Sequence, residues 1–266
     1  MPLAVCATPI GNLEDVTLRV LRELAEADLV LCEDTRHTRK LLERHGLRAR
    51  LVSYHEHNEA RRTGEMLPRL EAGERVALVS DAGLPGISDP GARLIAAALD
   101  AGVEVTVLPG PSAVETALVA SGLVTGAYRF VGYLPRGERA LRALAEELAR
   151  WPDAVVAFES PQRLAASLRV LARVIPDRQA AVCRELTKRF EDVRRGSVAE
   201  LAEAVGEVRG EITLVVGAGQ VAGPDESVGV AAVDELVAAG VPRRQAADLV
   251  SRLTGAARNR LYRGSL

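Results

Sequence analysis

The chain has 266 residues, of which 48% are hydrophobic and 26% are charged, and its formal net charge is −2. This composition excludes a wholly disordered or fibrous chain. No apolar run approaches the roughly 20 residues that cross a bilayer, and the N-terminus lacks a charged signal-peptide opening. We therefore expect a cytoplasmic protein that does not enter a membrane.

The first half of the chain alternates short apolar runs with stretches whose apolar residues recur every three or four positions. The predicted strands are Leu3–Ala7, Leu29–Cys32, Leu51–Tyr54, Val76–Ser80 and Val103–Leu108. The predicted helices between them are Leu13–Glu26, Arg36–His45, Asn58–Gly73 and Pro90–Ala101. This alternation predicts an α/β domain with a parallel sheet, in which ligands bind beyond the carboxyl ends of the strands.

The second half predicts another α/β domain, with a mixed sheet. Its candidate strands are Arg129–Tyr133, Val155–Glu159, Ala180–Glu185 and Ile212–Val216, and its candidate helices are Glu138–Arg150, Pro161–Val174 and Val198–Val208. A hairpin-like element at Arg189–Arg194 interrupts the alternation, so antiparallel pairing is expected there. Three short helical patterns end the chain: Val233–Ala239, Pro242–Leu253 and Ala257–Leu261.

These patterns divide the chain into an N-terminal α/β domain (1–111), a second α/β domain (112–217), a glycine-rich linker (218–229) and a small C-terminal helical module (230–266). Residues 241–266 contain six arginines and one acid, a net charge of +5, whereas residues 1–240 carry −7. Such asymmetry is typical of a polyanion-binding appendage. A solvated terminal helix in an arginine-rich protein explains it equally well.

Cysteine and aromatic residues are both scarce. Cys6, Cys32 and Cys183 are too few and too scattered for a disulfide framework or a zinc cluster, and their apolar surroundings predict buried, inert thiols. Aromatic residues make up only 3% of the chain. This content disfavours recognition of RNA through bases stacked on exposed rings.

Two polar loops follow the first two predicted strands. In residues 7–15, Pro9 and Gly11 allow close approach of the backbone, although this loop alone is typical of an ordinary strand–helix turn. Residues 32–39 place two acids, two arginines and a histidine after one strand. Capping by Asp34 or Thr35 explains part of that pattern, and the basic residues are suited to phosphates.

Two further loops follow the later strands of the first half. Residues 53–59 contain His55 and His57, for which a surface loop, a polar cluster facing a substrate and an incomplete metal site all remain open. Residues 80–91 contain three glycines and two prolines and form the most distinctive loop. Together with residues 108–113, where Ser112 is placed to cap a helix, it predicts a pocket for a small molecule.

At these loops the chain resembles the tetrapyrrole-methylase (class III) superfamily of S-adenosylmethionine-dependent methyltransferases. Within it, the chain is similar to the bacterial enzymes that methylate small-subunit ribosomal RNA. The motifs that carry the resemblance are Thr8-Pro9-Ile10-Gly11-Asn12-Leu13, Glu33-Asp34-Thr35-Arg36-His37-Thr38, His55-Glu56-His57-Asn58-Glu59, Ser80-Asp81-Ala82-Gly83, Ser88-Asp89-Pro90-Gly91 and Arg184-Glu185-Leu186-Thr187-Lys188. The resemblance covers the whole chain, including the helical tail.

This resemblance implies a two-domain homodimer that binds S-adenosylmethionine in the cleft between its domains. The implied cofactor-binding residues are Pro9, Asp81, Gly83, Leu84, Ile87, Ser112, Ala113, Phe158, Leu186, Glu211 and Ile212. One departure stands out, because tetrapyrrole methylases commonly carry Gly-Asp-Pro where this chain reads Gly83-Leu84-Pro85. The missing carboxylate separates the chain from the porphyrin and corrin enzymes and favours the RNA branch.

The activity implied is methylation of a cytidine ribose 2′-hydroxyl in the decoding region of 16S ribosomal RNA, within the small (30S) subunit. A 2′-hydroxyl is a poor nucleophile while protonated, so a base should assist. The candidates for this catalytic role are Asp34, His37 and Asp89, although Asp34 and Asp89 are also placed to cap helices. The residues expected to contact RNA are Arg36, Arg39, His55, His57, Arg243, Arg244 and Arg258. This chemistry requires no metal.

Two other functions are compatible with parts of the sequence. A methyltransferase of the same superfamily that acts on a free tetrapyrrole would not need the basic tail. A non-enzymatic nucleic-acid-binding protein could use that tail as a helix-turn-helix-like module. Such a protein would leave the loop at residues 81–91 unexplained.

Overall fold

The structure is a computed structural model that describes residues 2–124, 126–219 and 226–265. It divides into two compact units, the first comprising Met1–Ala149 and Asp153–Ala218 and the second Arg150–Pro152 and Gly219–Leu266. Both sheets lie in the first unit. Because the expected boundary at residue 111 falls inside that unit, its division into two domains stays a prediction.

The first sheet consists of β1 (Leu3–Cys6), β2 (Leu29–Cys32), β3 (Leu51–Ser53), β4 (Val76–Leu78) and β5 (Val105–Leu108). Their order is β3-β2-β4-β1-β5, and all neighbouring pairs are parallel. The strands β1, β2 and β4 are buried along their whole length, as expected for a parallel sheet covered on both faces. The predicted parallel sheet is confirmed, and its strands all end on one side.

The helices of the first half are α1 (Leu18–Glu26), α2 (Thr35–Arg44), α3 (Glu59–Glu71), α4 (Ala92–Asp100) and α5 (Ala113–Ser121). Two of them, α1 and α4, begin two or more residues later than predicted. A short 3-10 turn at Leu13–Asp15 precedes α1, which starts after Thr17 because the Thr17 side chain accepts a hydrogen bond from the Val20 amide. Helix α4 starts after Gly91, so the prediction that Asp89 caps this helix is wrong.

The second sheet contains β6 (Tyr128–Tyr133), β7 (Ala154–Glu159), β8 (Gln179–Arg184), β9 (Asp192–Ser197) and β10 (Ile212–Val216), in the order β6-β7-β10-β8-β9. Strands β6 and β7 are parallel, and the other neighbouring pairs are antiparallel. The mixed sheet is therefore confirmed, with β9 as the strand of the predicted hairpin-like element. Its helices are α6 (Glu138–Ala149), α7 (Pro161–Ala172) and α8 (Val198–Ala204).

The second unit contains α9 (Glu226–Ala238), α10 (Arg243–Thr254) and α11 (Arg258–Gly264), which pack around Val233, Val250 and Leu261. Residues 226–229 are helical, which corrects the end of the predicted linker, and residues 220–225 lie outside the described residues. A Cβ added at Gly229 would lie 2.6 Å from Cδ2 of Leu261, so glycine allows this close helix contact. Among the described residues, no helix has the length and apolarity needed to cross a membrane.

Candidate active site

Loops at the strand ends of both sheets enclose a cavity of about 630 Å³ in the first unit. The first sheet contributes Ala7, residues 81–84, residues 87–89 and residues 109–115 to its lining. The second sheet contributes residues 158–161 and 210–213, together with Tyr133, Cys183 and Leu186. The volume lies in the range of small-molecule and cofactor sites, and the position agrees with the rule for parallel sheets.

The structure brings nearly all of the expected cofactor-binding residues to this cavity. Those that line it are Asp81, Gly83, Leu84, Ile87, Ser112, Ala113, Phe158, Leu186, Glu211 and Ile212. Pro9 is buried and lies outside the lining, whereas Ala7 and Ile10 line the cavity on either side of it in the chain.

A backbone bridge holds the first loop against the glycine-rich loop. The Thr8 amide donates to the Gly83 carbonyl at 2.8 Å, and the Gly83 amide donates back to the Thr8 carbonyl at 3.0 Å. The Thr8 hydroxyl donates to the Ser80 carbonyl at 3.0 Å. These bonds leave little freedom where β1 and β4 end, so two walls of the cavity are fixed to each other.

The same first loop also packs closely against the segment that follows β8. The Asn12 amide donates to Oγ1 of Thr187 at 3.0 Å. A Cβ added at Gly11 would lie 2.7 Å from that oxygen and 2.9 Å from the Leu186 carbonyl oxygen. Gly11 is therefore required for close approach between loops that are distant in sequence, one of which carries the cavity residue Leu186.

Backbone strain is concentrated around the cavity. Ser88, Glu185 and Thr187 adopt φ values of 63°, 51° and 65°, in the left-handed region that side chains other than glycine rarely occupy. Ser88 lines the cavity, and the other two flank the lining residue Leu186 in the chain. Such strain persists only where the surrounding structure enforces it, and it often accompanies functional sites.

Asp89 is the lining carboxylate with the most perturbed titration. Burial raises its pKa to about 6, a hydrogen bond with Ser80 opposes that shift, and the charge of Asp81 adds to it. Burial together with Asp81 and Asp89 also raises the pKa of Glu33. A carboxyl group whose pKa lies close to neutrality, in a cavity, has the properties of a general base.

Asp34 and His37 lie outside the cavity lining. Asp34 occupies the N-cap of α2, where its Oδ1 accepts a hydrogen bond from the Arg36 amide at 2.8 Å. The Arg36 guanidinium also pairs with this carboxylate at 2.7 Å, and these hydrogen bonds hold the pKa of Asp34 far below its usual range. The backbone amide of Asp34 donates a hydrogen bond to Oδ1 of Asp81 at 3.1 Å. Asp34 thus adjoins the cavity but is a weak proton acceptor.

The residues expected to contact RNA fall into three groups. Arg36 and Arg39 are exposed on the first turns of α2, as is the catalytic candidate His37, and α2 follows Asp34, whose amide bonds to Asp81. In the second unit, Arg244 is exposed, whereas Arg243 and Arg258 are half-buried and Arg258 pairs with Asp248. The exposed arginines of that unit also include Arg252, Arg260 and Arg263, which the sequence analysis did not select.

His55 and His57 lie on the loop before α3, with ring centroids 5.8 Å apart. The Asn58 side chain holds this loop by accepting a hydrogen bond from the His55 amide at 2.9 Å. Glu59 then connects it to the glycine-rich loop, because its Oε1 accepts hydrogen bonds from the Gly91 amide and the Tyr54 hydroxyl, at 3.4 and 3.3 Å. No metal-binding cluster of His, Cys, Asp or Glu occurs among the described residues.

Cavity residues that lie outside the predicted loops and motifs include Glu115 and Tyr133. Glu115 explains the role of Ser112, which occupies the N-cap of α5 but donates its hydroxyl to Glu115 instead of capping a backbone amide. Tyr133 is the last residue of β6, so its position at the end of a predicted strand was the available signal. The three cysteines are buried as predicted, and burial raises their thiol pKa values to about 11 or 12.

Comparison with known proteins places this chain in a family. The family described as Tetrapyrrole (Corrin/Porphyrin) Methylases matches residues 2–202 of the chain. The chain belongs to the tetrapyrrole methylase family. Solved structures share its fold at low sequence identity, among them the methyltransferase CobJ (TM-score 0.63, 21% identity, 81% of this chain and 93% of that chain).

Another such structure is a uroporphyrin-III C-methyltransferase from Thermus thermophilus complexed with S-adenosylhomocysteine, with a TM-score of 0.57, 23% identity, and coverage of 81% of this chain and 96% of that chain.

Curated relatives within the tetrapyrrole methylase family are much more similar in sequence. Proteins named Ribosomal RNA small subunit methyltransferase I from Mesorhizobium japonicum and Mycobacterium tuberculosis are 45% and 48% identical. The alignments cover 98% and 94% of this chain and 90% and 88% of those relatives.

Proposed function

We propose that this protein transfers a methyl group from S-adenosylmethionine to the ribose 2′-oxygen of a cytidine in the decoding region of 16S ribosomal RNA, within the 30S subunit. The observation that carries the proposal is Asp89, a carboxylate of raised pKa in the cavity that also collects the expected cofactor-binding residues. The similarity to the named ribosomal RNA methyltransferases supports the same reaction.

The cavity suits S-adenosylmethionine in size and in charge. Its lining combines apolar side chains such as Ile10 and Leu186 with the carboxylates Asp81, Glu115 and Glu211. Acidic groups around an apolar cavity favour a ligand that carries positive charge. When bound, the cofactor supplies an electrophilic methyl group on its sulfonium. The backbone and side chains at Gly83–Ile87 and Ser112–Ala113 would hold its amino-acid side, and Phe158 and Ile212 its adenosine.

In this mechanism the chain positions the acceptor and takes up its proton. The 2′-oxygen must approach the methyl group in line with the bond that breaks, which the rigid loops at Thr8 and Gly83 favour by fixing the cavity walls. Asp89 would accept the 2′-hydroxyl proton as the new carbon–oxygen bond forms. Arg36, held by Asp34, and Arg39 would contact phosphates beside the target nucleotide.

The exposed arginines of the second unit would contact other phosphates of the RNA.

We also propose that the protein acts in the cytoplasm as a homodimer. In support of a dimer, the apolar side chains of Leu99, Val107 and Val119 are at least half exposed, and Val107 lies on β5 at the edge of the first sheet. A second copy of the chain would bury such side chains.

The cofactor site can be tested with a glycine at its wall. A Cβ added at Gly110 would lie 2.9 Å from the Cβ of Ala7, and both residues line the cavity. Gly110→Ala should therefore shift these walls and raise the Kd for S-adenosylmethionine about tenfold, measured by isothermal titration calorimetry. Gly137→Ala is the matched control, since a Cβ there meets nothing within 4 Å. Equal affinity for both variants would contradict the proposed cofactor site.

A further inference from the structure

An aromatic ladder runs from the core of the second sheet to the cavity. The rings of Phe130 and Phe158 meet edge to face with centroids 5.0 Å apart, and the ring of Tyr133 meets Phe158 in the same manner at 5.6 Å. Phe130 and Phe158 pack against the buried core, whereas Tyr133 is 63% exposed. The ladder therefore ends in a supported ring that is largely open to solvent.

A β-bulge places Tyr133 at the end of this ladder. Phe130 pairs with Val156 and Tyr133 pairs with Phe158, so three residues of β6 span two residues of β7. Gly132 provides the left-handed backbone that the extra residue needs, with a φ of 68°. In regular pairing Gly132 would stand beside Phe158, and the bulge brings Tyr133 there instead. Bulges commonly redirect a side chain next to an active site.

The redirected ring lies on the Asp89 side of the cavity. Tyr133 lines the cavity. A Cβ added at the preceding residue, Gly132, would lie 3.9 Å from the hydroxyl oxygen of Ser88, and Ser88 directly precedes Asp89 in the chain. Partial burial raises the pKa of the Tyr133 hydroxyl, and so do the charges of Asp89, Glu211, Glu159 and Glu33, in that order. An open aromatic face next to the Asp89 carboxylate suits a nucleotide. The planar nucleobase can stack on the ring while the ribose reaches the carboxylate.

We propose that Tyr133 forms the surface on which the base of the target nucleotide stacks, and that this stacking holds the ribose 2′-oxygen at Asp89. The inference rests on the proposed function and extends it to the recognition of the base. It also modifies the expectation from the low aromatic content, because one ring placed at the site serves a single base. Stacking on an aromatic ring does not require a particular base, so this contact positions the nucleotide without reading its sequence.

The adenine of the cofactor is the other planar group that could lie against Tyr133. The two rings differ in burial, and the more buried one is better placed to contact a cofactor inside the cavity. Phe158 is half-buried and pairs across the sheet with Thr213, which follows Ile212 in the chain and also lines the cavity, so Phe158 is the better match for adenine. The exposed ring of Tyr133 is left for a group that arrives from solution.

The test compares Tyr133→Leu with Tyr133→Phe, using purified 30S subunits that lack the modification. Leucine keeps an apolar side chain against Phe158 but removes the aromatic face, whereas phenylalanine retains the face. Tyr133→Leu should raise KM for the subunits about tenfold or more, and Tyr133→Phe should behave as the wild type. Phe190→Leu is the control, since Phe190 is another exposed ring, 66% accessible, that lies outside the lining.

Cofactor affinity, measured by calorimetry on each variant, separates the outcomes. Unchanged Kd for S-adenosylmethionine in Tyr133→Leu, with a raised KM for subunits, supports the proposal and shows that the variant is folded. A parallel loss of cofactor affinity would assign the ring to adenine and overturn it, as would a Tyr133→Leu variant with wild-type KM. A wild-type protein that binds the cofactor but methylates no subunit would overturn the proposed function itself, and the Tyr133 assignment with it.

Discussion

Asp89→Asn is expected to lower the rate of methyl transfer at saturating substrates by about a hundredfold or more, which is the usual contribution of a general base. Asparagine has nearly the same shape but cannot accept the proton of the 2′-hydroxyl. Because the other lining carboxylates, Asp81, Glu115 and Glu211, remain in place, the Kd for S-adenosylmethionine should change little. Single-turnover transfer of a labelled methyl group to 30S subunits measures the step directly.

Asp100→Asn is the matched control, because Asp100 is an exposed aspartate at the end of α4. Asp34→Asn should have a smaller effect than Asp89→Asn, since it loosens Arg36 without removing the base. A rate that falls far more in Asp34→Asn than in Asp89→Asn would contradict this assignment and restore Asp34 as the proton acceptor.

The raised pKa of Asp89 gives the same prediction a pH dependence. The transfer rate should rise as pH increases through about 6, where Asp89 loses its proton, and this rise should be absent in Asp89→Asn. The effect on stability has the opposite sign, because a raised pKa means that the folded protein favours the protonated form and loses that stabilisation as pH rises through about 6. At pH 7, Asp89→Asn should therefore be more stable by about 1 kcal/mol, after allowance for solvent screening.

Charge reversal at two exposed arginines of the second unit, Arg244→Glu with Arg252→Glu, is expected to raise KM for 30S subunits roughly 30-fold at moderate salt. The reason is that two favourable phosphate interactions are removed and replaced by repulsion. The dependence of log KM on log salt should also become shallower, by about one unit for each arginine that no longer binds a phosphate. Steady-state assays at several salt concentrations measure both quantities, and kcat should remain close to that of the wild type.

The control for this variant is Arg22→Glu with Arg169→Glu, which changes net charge equally at exposed helical positions of the first unit. If both double variants raise KM by the same factor, the effect comes from net charge alone and the second unit has no special role in binding RNA. An unchanged KM in the Arg244 and Arg252 variant would contradict the proposed role of these arginines outright.

Periodicity and strand-end position were sufficient to predict the sheets and the loops that form the cavity. Apolar runs such as Leu29–Cys32 are buried on both faces, which is why they read clearly as strands of a parallel sheet. The loop at residues 80–91 was identifiable as part of a binding site because so many glycines and prolines produce an irregular backbone, which is typical of loops that line a pocket. Of the eleven residues that the family resemblance implies for the cofactor, ten line the cavity and Pro9 does not.

The chemistry of individual groups depends on contacts that sequence spacing does not encode. Asp34 and Asp89 look alike as candidate bases, but Arg36 pairs with the first and burial isolates the second, so their pKa values move in opposite directions. The position of Tyr133 depends on one bulge residue, Gly132, whose left-handed backbone is not predictable from alternation. These are properties of the assembled loops, each set by neighbours distant in the chain.

The most direct test of the proposed function uses two reactions, each with the protein and labelled S-adenosylmethionine. One contains unmodified 30S subunits and the other contains uroporphyrinogen III. Nuclease digestion and mass spectrometry of the RNA would then locate the methyl group. The proposed function predicts label only with the subunits, recovered as 2′-O-methylcytidine at one position of the decoding region, and incorporated about a hundredfold more slowly with Asp89→Asn. Label on the tetrapyrrole, or on a base instead of a ribose, would contradict it.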